Sequence, residues 1–193
     1  MNGSRTPGQR AGLTRAAVLA GARDLLAERG LEALTMRTLA ARLGVRPNAL
    51  YSHVTSKSAL LDDLLDELLA EVEAPPPDLD NPSAGLHRLM ASTYDVLLTH
   101  PDLVPLYLAR RGARGPNAQR LGDIMLALLA RAGVTGDDAR EARRVLIVYT
   151  IGFAAFVTSP PLEPSGPVTP SVEEFVDNFH AGLGWLLAGI TAP

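Results

Sequence analysis

Residues 35–57 read TMRTLAARLGVRPNALYSHVTSK, and the order of small, turn-forming and apolar residues in them decides how the first part of the chain folds. Thr35 can cap a short helix that carries Leu39, Ala40 and Leu43 and stops at Gly44, which enters a left-handed turn without a Cβ penalty. Pro47 suits the first turn of the next helix, where its missing N–H costs no hydrogen bond; the spacing predicts a third helix from Pro47 through Val54. Ala40 is small where two helices would cross, and Val45 and Leu50 fix the crossing, which makes the pair a helix-turn-helix. The second helix of the pair presents Arg46, Asn48, Ala49, Tyr51, Ser52 and His53 mostly outward, and polar side chains of these types read base edges or hold phosphates.

Further out, Thr14 caps a first helix whose Val18, Ala22, Leu25 and Leu26 share a face and which Gly30 stops. Ser56 caps a fourth, long helix with Leu61, Leu64, Leu65, Leu68 and Val72 inward, ended by Pro75, Pro76 and Pro77. Lys57, the only lysine of the chain, lies in its first turn, where an ammonium and free backbone N–H groups together can grip a phosphate. Arg37, near the start of the second helix, is placed to do the same. Asn81-Pro82 opens a fifth helix to His100, and an interrupted one follows around Leu103 to Arg111. Gly115-Pro116 opens another that ends at Gly133, and Thr135 with Asp138 starts a long helix to about Val157. Ser171 and Glu174 form a capping box for the last helix. No segment alternates as a strand would, and there is no internal repeat. The expected fold is all-α. A flexible basic tail (1–12) precedes a three-helix helix-turn-helix DNA-binding domain (13–57), and the long fourth helix joins it to a helical ligand-binding and dimerisation domain (58–193).

The formal net charge of −3 conceals a split. Up to Lys57, nine basic residues stand against three acidic ones, a balance of +6; the remainder carries nine basic against eighteen acidic, a balance of −9. Such asymmetry points to nucleic acid on the basic side. The absence of cysteine excludes disulfides, zinc-thiolate sites and a cysteine nucleophile. No apolar run approaches the roughly 18 residues of a membrane span, and the N-terminus lacks a signal-peptide core, so a cytoplasmic protein with no membrane partner is expected. An all-helical enzyme is the competing class. It would need a nucleophile–base pair, paired carboxylates in a cleft or a phosphate-binding loop, and no GxSxG, Walker-type or HExxH pattern is present. Asp62-Asp63 and Asp137-Asp138 lie near helix N-termini, where they complement the dipole. Neither catalysis nor a cofactor is expected.

The run TMRTLAARLGVRPNALYSHVTSKSALLDDLLD resembles the DNA-binding domain of the TetR family of transcriptional regulators. Within it, LYSHVTSKSALLDDL is similar to the LYxHVxxKxxLLD pattern of the branch that contains the tetracycline repressor, and HPDLVPLYLAR, GPNAQRL and FHAGLGWLL are similar to C-terminal segments of that branch. The resemblance implies a homodimeric repressor, a double-stranded DNA operator with two half-sites, and a C-terminal pocket whose small-molecule effector weakens DNA binding. It places DNA contacts at Thr35, Arg37, Arg46, Asn48, Ala49, Tyr51, Ser52, His53 and Lys57, with Pro47, Asn48, Ala49 and Ser52 at the variable positions that set sequence preference. Members that bind tetracycline hold it through magnesium, using a histidine on the sixth helix and a glutamate near the end of the eighth. Here Tyr107 stands at about the histidine's place and the eighth helix ends FAAFVTSPP without a carboxylate, so no magnesium–tetracycline ligand is expected. His87, His100 and His180 are each isolated in the sequence.

A pocket lining is expected from Met90, Tyr94, Tyr107, Met125, Tyr149, Phe153 and Phe156, a largely apolar set with a few hydroxyls that suits a largely apolar ligand and equally suits a plain core. The dimer is expected from the last two helices. Residues 145–157 (VLIVYTIGFAAFV) are apolar nearly all round, which means burial on two sides. Leu146, Val157, Phe175, Phe179, Leu183, Leu186 and Leu187 are the candidate interface residues, with Gly182 and Gly184 allowing close approach in a four-helix bundle. A DNA-binding dimer with no small-molecule ligand is the alternative; a cavity of several hundred cubic ångströms separates the two readings.

Overall fold

A computed structural model describes residues 12–159 and 171–192. Among these residues there are nine α-helices and no strand: α1 (Arg15–Ala33), α2 (Met36–Arg42), α3 (Pro47–Leu50), α4 (Lys57–Ala70), α5 (Pro82–Thr99), α6 (Val104–Arg110), α7 (Pro116–Arg131), α8 (Gly136–Thr158) and α9 (Val172–Ile190), with a 3-10 turn at Pro101–Leu103 before α6. The all-α expectation holds. Most of the loop SPPLEPSGPVTP and the basic tail fall outside the described residues.

The helix starts lie where short polar side chains satisfy the first free N–H groups. Thr14 accepts from the Ala17 N–H at 3.1 Å, Ser56 from Ala59 at 3.0 Å, and Asn81 from Ala84 at 3.0 Å. Thr35 with Thr38, and Ser171 with Glu174, form reciprocal capping boxes. Thr135 has the extended backbone of a cap but makes no side-chain bond. Two boundaries differ from expectation. Gly30 leaves helical geometry at φ 73°, yet a further turn continues to Ala33, so it kinks α1 rather than ending it. The third helix stops at Leu50 instead of reaching Val54. There the Leu50 carbonyl accepts from both the His53 and Val54 N–H groups, and the Ser52 hydroxyl donates to the Ala49 carbonyl at 2.7 Å, so the segment after Leu50 runs as turns with a single bond of helical spacing.

The chain divides into two compact units, one ending at Leu60 and the other starting at Leu61. In the first, Val18, Ala22, Leu25 and Leu26 of α1 meet a core that includes Leu34, Leu39, Ala40, Leu50 and Val54, all buried. The small residue at the α1–α2 crossing is Gly21 as well as Ala40: a Cβ on Gly21 would sit 2.9 Å from Leu43. Gly44 makes the turn at φ +66°, a conformation L side chains adopt at a cost. Arg42 clamps the same crossing, its guanidinium bonding both Glu28 oxygens at 2.7 Å and Asp24 at 3.3 Å.

In the second unit α5 packs against α7, α8 and α9 around Leu86, Leu89, Met90, Tyr94 and Leu97. The part of α4 that belongs here turns Leu61, Leu64, Leu65 and Leu68 inward as expected. Two carboxylates from the same helix grip the segment between α6 and α7. Asp62 takes Arg110 in a fork, with Nη2 at 2.6 Å from each oxygen. Asp66, 8% exposed, accepts the Asn117 and Ala118 N–H groups at 2.9 and 3.0 Å and thereby caps α7 from outside, since Gly115 has no side chain to do so. Gly115 itself adopts φ +138°, and a Cβ there would lie 2.5 Å from the Asp66 carboxyl carbon.

Candidate nucleic-acid interface and ligand cavity

The expected DNA-reading residues lie in the first unit and in the first turn of α4. Arg37, Arg46, Pro47, Asn48, Ser52 and Lys57 are exposed, Tyr51 is 50% exposed, and Ala49 and His53 are half-buried. Arg37, Arg46 and Lys57 make no ion pair with any described residue, so their charges are available to a partner. Arg42 is not, being held by Glu28 and Asp24; hydrogen bonding to Arg42 also holds the Glu28 carboxyl below its ordinary value. Thr35 is engaged in its capping box. The Ser52 proton is directed at Ala49, which leaves the hydroxyl able to accept but not to donate. A single helical turn therefore exposes Pro47 and Asn48 and buries Leu50 on the other side.

The second unit holds a half-open cavity of about 900 Å³. Its apolar lining comes from Met90 on α5, Tyr107 on α6, Leu121 and Met125 on α7, and Ile147 and Ile151 on α8. Three of the seven expected lining residues, Met90, Tyr107 and Met125, are thus in place. Burial pushes the Tyr107 phenol up, against a hydrogen bond with the Ala113 backbone, and keeps it neutral. Tyr94, Tyr149, Phe153 and Phe156 do not line the cavity. The first three gather instead around Phe179 of α9: Tyr94 stacks on it with centroids 3.9 Å apart, Tyr149 at 5.5 Å and Phe153 at 5.7 Å. Tyr149 donates to the Phe179 carbonyl at 2.9 Å and presses on Gly182, so that glycine serves the α8–α9 contact within the chain. The Tyr94 hydroxyl is buried without a partner among the described residues, and burial together with the Asp95 and Tyr149 charges raises its pKa. Phe156, 69% exposed, meets Phe175 at 5.1 Å.

Sequence reasoning missed the cationic part of the lining, which comprises Arg111 and Arg114 from the α6–α7 segment and Arg140, Arg143 and Arg144 from α8. The spacing of the last three, on one side of the first turns of α8, was the available signal. It also missed His87 stacking on His180, with centroids 5.5 Å apart, and the bond of 2.9 Å between His100 and Glu71, so these histidines are not isolated. Among the described residues no group of three or more His, Asp or Glu could hold a metal ion, and no helix is long and apolar enough to cross a membrane.

The expected interface residues also divide. Leu146, Phe179, Leu183 and Leu187 are at most 2% exposed within the single chain, so they are core. Val157, Phe175 and Leu186 remain half-exposed. Among the described residues of the second unit the exposed large apolar side chains are a different set: Leu108 on α6, Val145, Val148 and Phe156 on α8, and Val172 and Trp185 on α9, with Trp185 78% exposed and with Leu108 and Val148 also lining the cavity.

Residues 18–64 match the family model described as bacterial regulatory proteins, tetR family, and residues 74–171 match that of the tetracyclin repressor-like C-terminal domain. The tetracycline repressor protein class C of Escherichia coli is 35% identical over 142 residues, which is 72% of this chain and 64% of the repressor, so the chain spans less than two thirds of that relative's length. The structure of ActR from Streptomyces coelicolor in complex with actinorhodin superimposes with a TM-score of 0.80 at 26% identity, covering 94% of this chain and 97% of ActR. BioQ of Mycobacterium smegmatis, solved with its natural double-stranded DNA operator, gives a TM-score of 0.73 at 27% identity over 94% of this chain and 99% of BioQ. The chain belongs to the tetR family of bacterial regulatory proteins, in its tetracycline-repressor-like branch.

Proposed function

We propose that this regulator is a homodimeric repressor that binds a double-stranded operator with two half-sites and leaves it when a small molecule with a largely apolar body enters the second unit. The carrying observation is the pairing of unneutralised exposed cations (Arg37, Arg46, Lys57) in one unit with a cavity of about 900 Å³ in the other. That volume lies in the range of small-molecule sites, and a solid core would have favoured a ligand-free regulator. Arg37 and Lys57 neutralise phosphates, Asn48 and Arg46 read bases, and Pro47, Ala49, Tyr51 and His53 shape and orient the reading turn. BioQ with its operator and ActR with actinorhodin support the two kinds of partner. The helix α4 is the lever. It begins at Lys57, and Asp62 and Asp66 attach it to the α6–α7 segment that also lines the cavity. A ligand shifts DNA affinity only through its preference between two states; a hundredfold preference amounts to about 2.7 kcal/mol.

Two measurements test this. Selection from random DNA should yield a motif with two-fold symmetry, and Asn48→Ala should relax one base pair per half-site at roughly 1–3 kcal/mol. Ile147→Trp, which intrudes on the cavity, should abolish release by an effector while leaving operator affinity intact. An unchanged motif in the Asn48 variant would remove α3 from the reading role.

A further inference from the structure

Among the described residues the cavity lining has five arginines and no carboxylate. Three of those guanidiniums have protein partners: Arg140 pairs with Asp137, Arg144 with Glu141 at 2.7 Å, and Arg114 with the Arg110 carbonyl at 3.2 Å and with Asp62 at 3.8 Å. The side chains of Arg111 and Arg143 make neither a hydrogen bond nor an ion pair with any described residue. Arg143 is half-buried, and its Nη1 lies 3.3 Å from where a Cβ on Gly122 would stand, so the absence of a side chain on α7 leaves room for its head group. Arg111 holds the left-handed cap of α6 at φ 54°, although glycine takes that conformation without steric cost and Gly112 is next in sequence. A half-buried cation without a counter-charge is costly, and the cost disappears when a bound anion supplies the charge.

Resting on the ligand-gated reading above, we infer that the effector is an aromatic carboxylic acid, bound with its carboxylate on Arg143 and Arg111 and its ring system against the apolar floor. A carboxylate matches the planar guanidinium fork and takes two parallel N–H bonds from it. The floor of Met90, Leu121, Met125 and Ile151 is buried and apolar, and two thioethers favour an aromatic face over an aliphatic one. A volume of about 900 Å³ takes several fused rings. The combination is selective: a neutral polycycle leaves both arginines uncompensated, and a cationic one adds to the repulsion.

The test uses the full chain and a panel of two- to four-ring aromatic carboxylic acids, each paired with its neutral primary amide, with affinities from calorimetry and operator release read in parallel. At neutral pH the acids are ionised and the amides are not. Acids should bind at least tenfold more tightly than their amides, about 1.4 kcal/mol. Arg143→Met should cut that preference to threefold or less without weakening the amides, and Arg143→Lys should restore part of it. Thermal melting monitors folding; if Arg143→Met does not fold, the exposed Arg111→Met gives the same readout. Amides that bind as tightly as acids to the unaltered protein, or a preference that survives both substitutions, would overturn the anion inference and leave ligand gating standing. Binding by no member of the panel would count against ligand gating as well.

Discussion

At the scale of single residues, the question is which cations are free to meet DNA. The charge balance of +6 up to Lys57 falls on the part of the chain that the tetR family model matches, but a count does not separate a cation that faces solvent from one that is spent inside. Arg37 and Arg42 are five positions apart in one short helix, and only Arg42 has Glu28 and Asp24 across from it on α1. That pairing depends on how α1 and α2 cross, which no local pattern states. Replacing Arg37 or Lys57 with Ala should therefore flatten the salt dependence of operator binding by about one unit of slope each and leave the melting temperature unchanged. Arg42→Ala should do the reverse, lowering the melting temperature and sparing the slope; equal effects of all three on slope would refute the division. The pairing also has a pH signature. Because Arg42 holds the folded-state Glu28 pKa below its ordinary value of 4.5, Glu28 contributes stability that is present above that value and lost as the pH falls through the lower folded value. Glu28→Gln should remove this part of the acid sensitivity, measured as melting temperature against pH between 6 and about 3.

At the scale of helices, most of the fold was legible because the chain marks its helix starts locally. Thr14, Thr35, Ser56, Asn81 and Ser171 each supply a cap oxygen to a residue three positions on, a relation that can be read from the sequence without knowing the rest of the molecule. Two elements were misread, one through local turns and one through a distant partner. The third helix is only one turn long, and local turns follow it, with Ser52 and His53 bonding back three residues to Ala49 and Leu50. The start of α7 could be placed at Gly115-Pro116, but not its cap, which comes from Asp66 some fifty residues earlier. Removing that cap should be costly, because two backbone N–H groups and the Asn117 amide lose a nearly buried acceptor at once. Asp66→Ala should lower the unfolding free energy in urea by about 1–3 kcal/mol. Asp66→Asn keeps one acceptor oxygen and should lose less; equal losses would mean that side-chain packing, not capping, is what Asp66 supplies.

At the scale of the whole molecule, the apolar surface that packing leaves open is the contact face offered to a second copy in the proposed dimer. The sequence expects α8 to be buried on two sides, because a helix apolar nearly all round is not satisfied by one neighbour. Within the single chain one side of α8 is buried and the other is open. Leu146 and Leu183 are buried in their own chain, while Val145 and Phe156 lie about three turns of α8 apart on an open face, with Val148 between them at the rim of the cavity. On α9, Trp185 is flanked by the exposed Gly184, Ala188 and Gly189, small residues that let another helix come close. A large aromatic ringed by small residues at a helix surface has the character of a binding hot spot, where truncation costs about 2 kcal/mol or more. Trp185→Ala should therefore raise the dimer dissociation constant about thirtyfold in sedimentation equilibrium, with the monomer's melting curve unaltered. Leu183→Ala should act on the other side of the ledger, destabilising each chain by about 2–5 kcal/mol through an internal cavity. Because Trp185 is the only tryptophan, its emission should shift to the blue as the protein concentration rises through the dimerisation range. An emission maximum independent of concentration, together with a Trp185→Ala protein that stays dimeric, would place the two-fold contact elsewhere on the second unit.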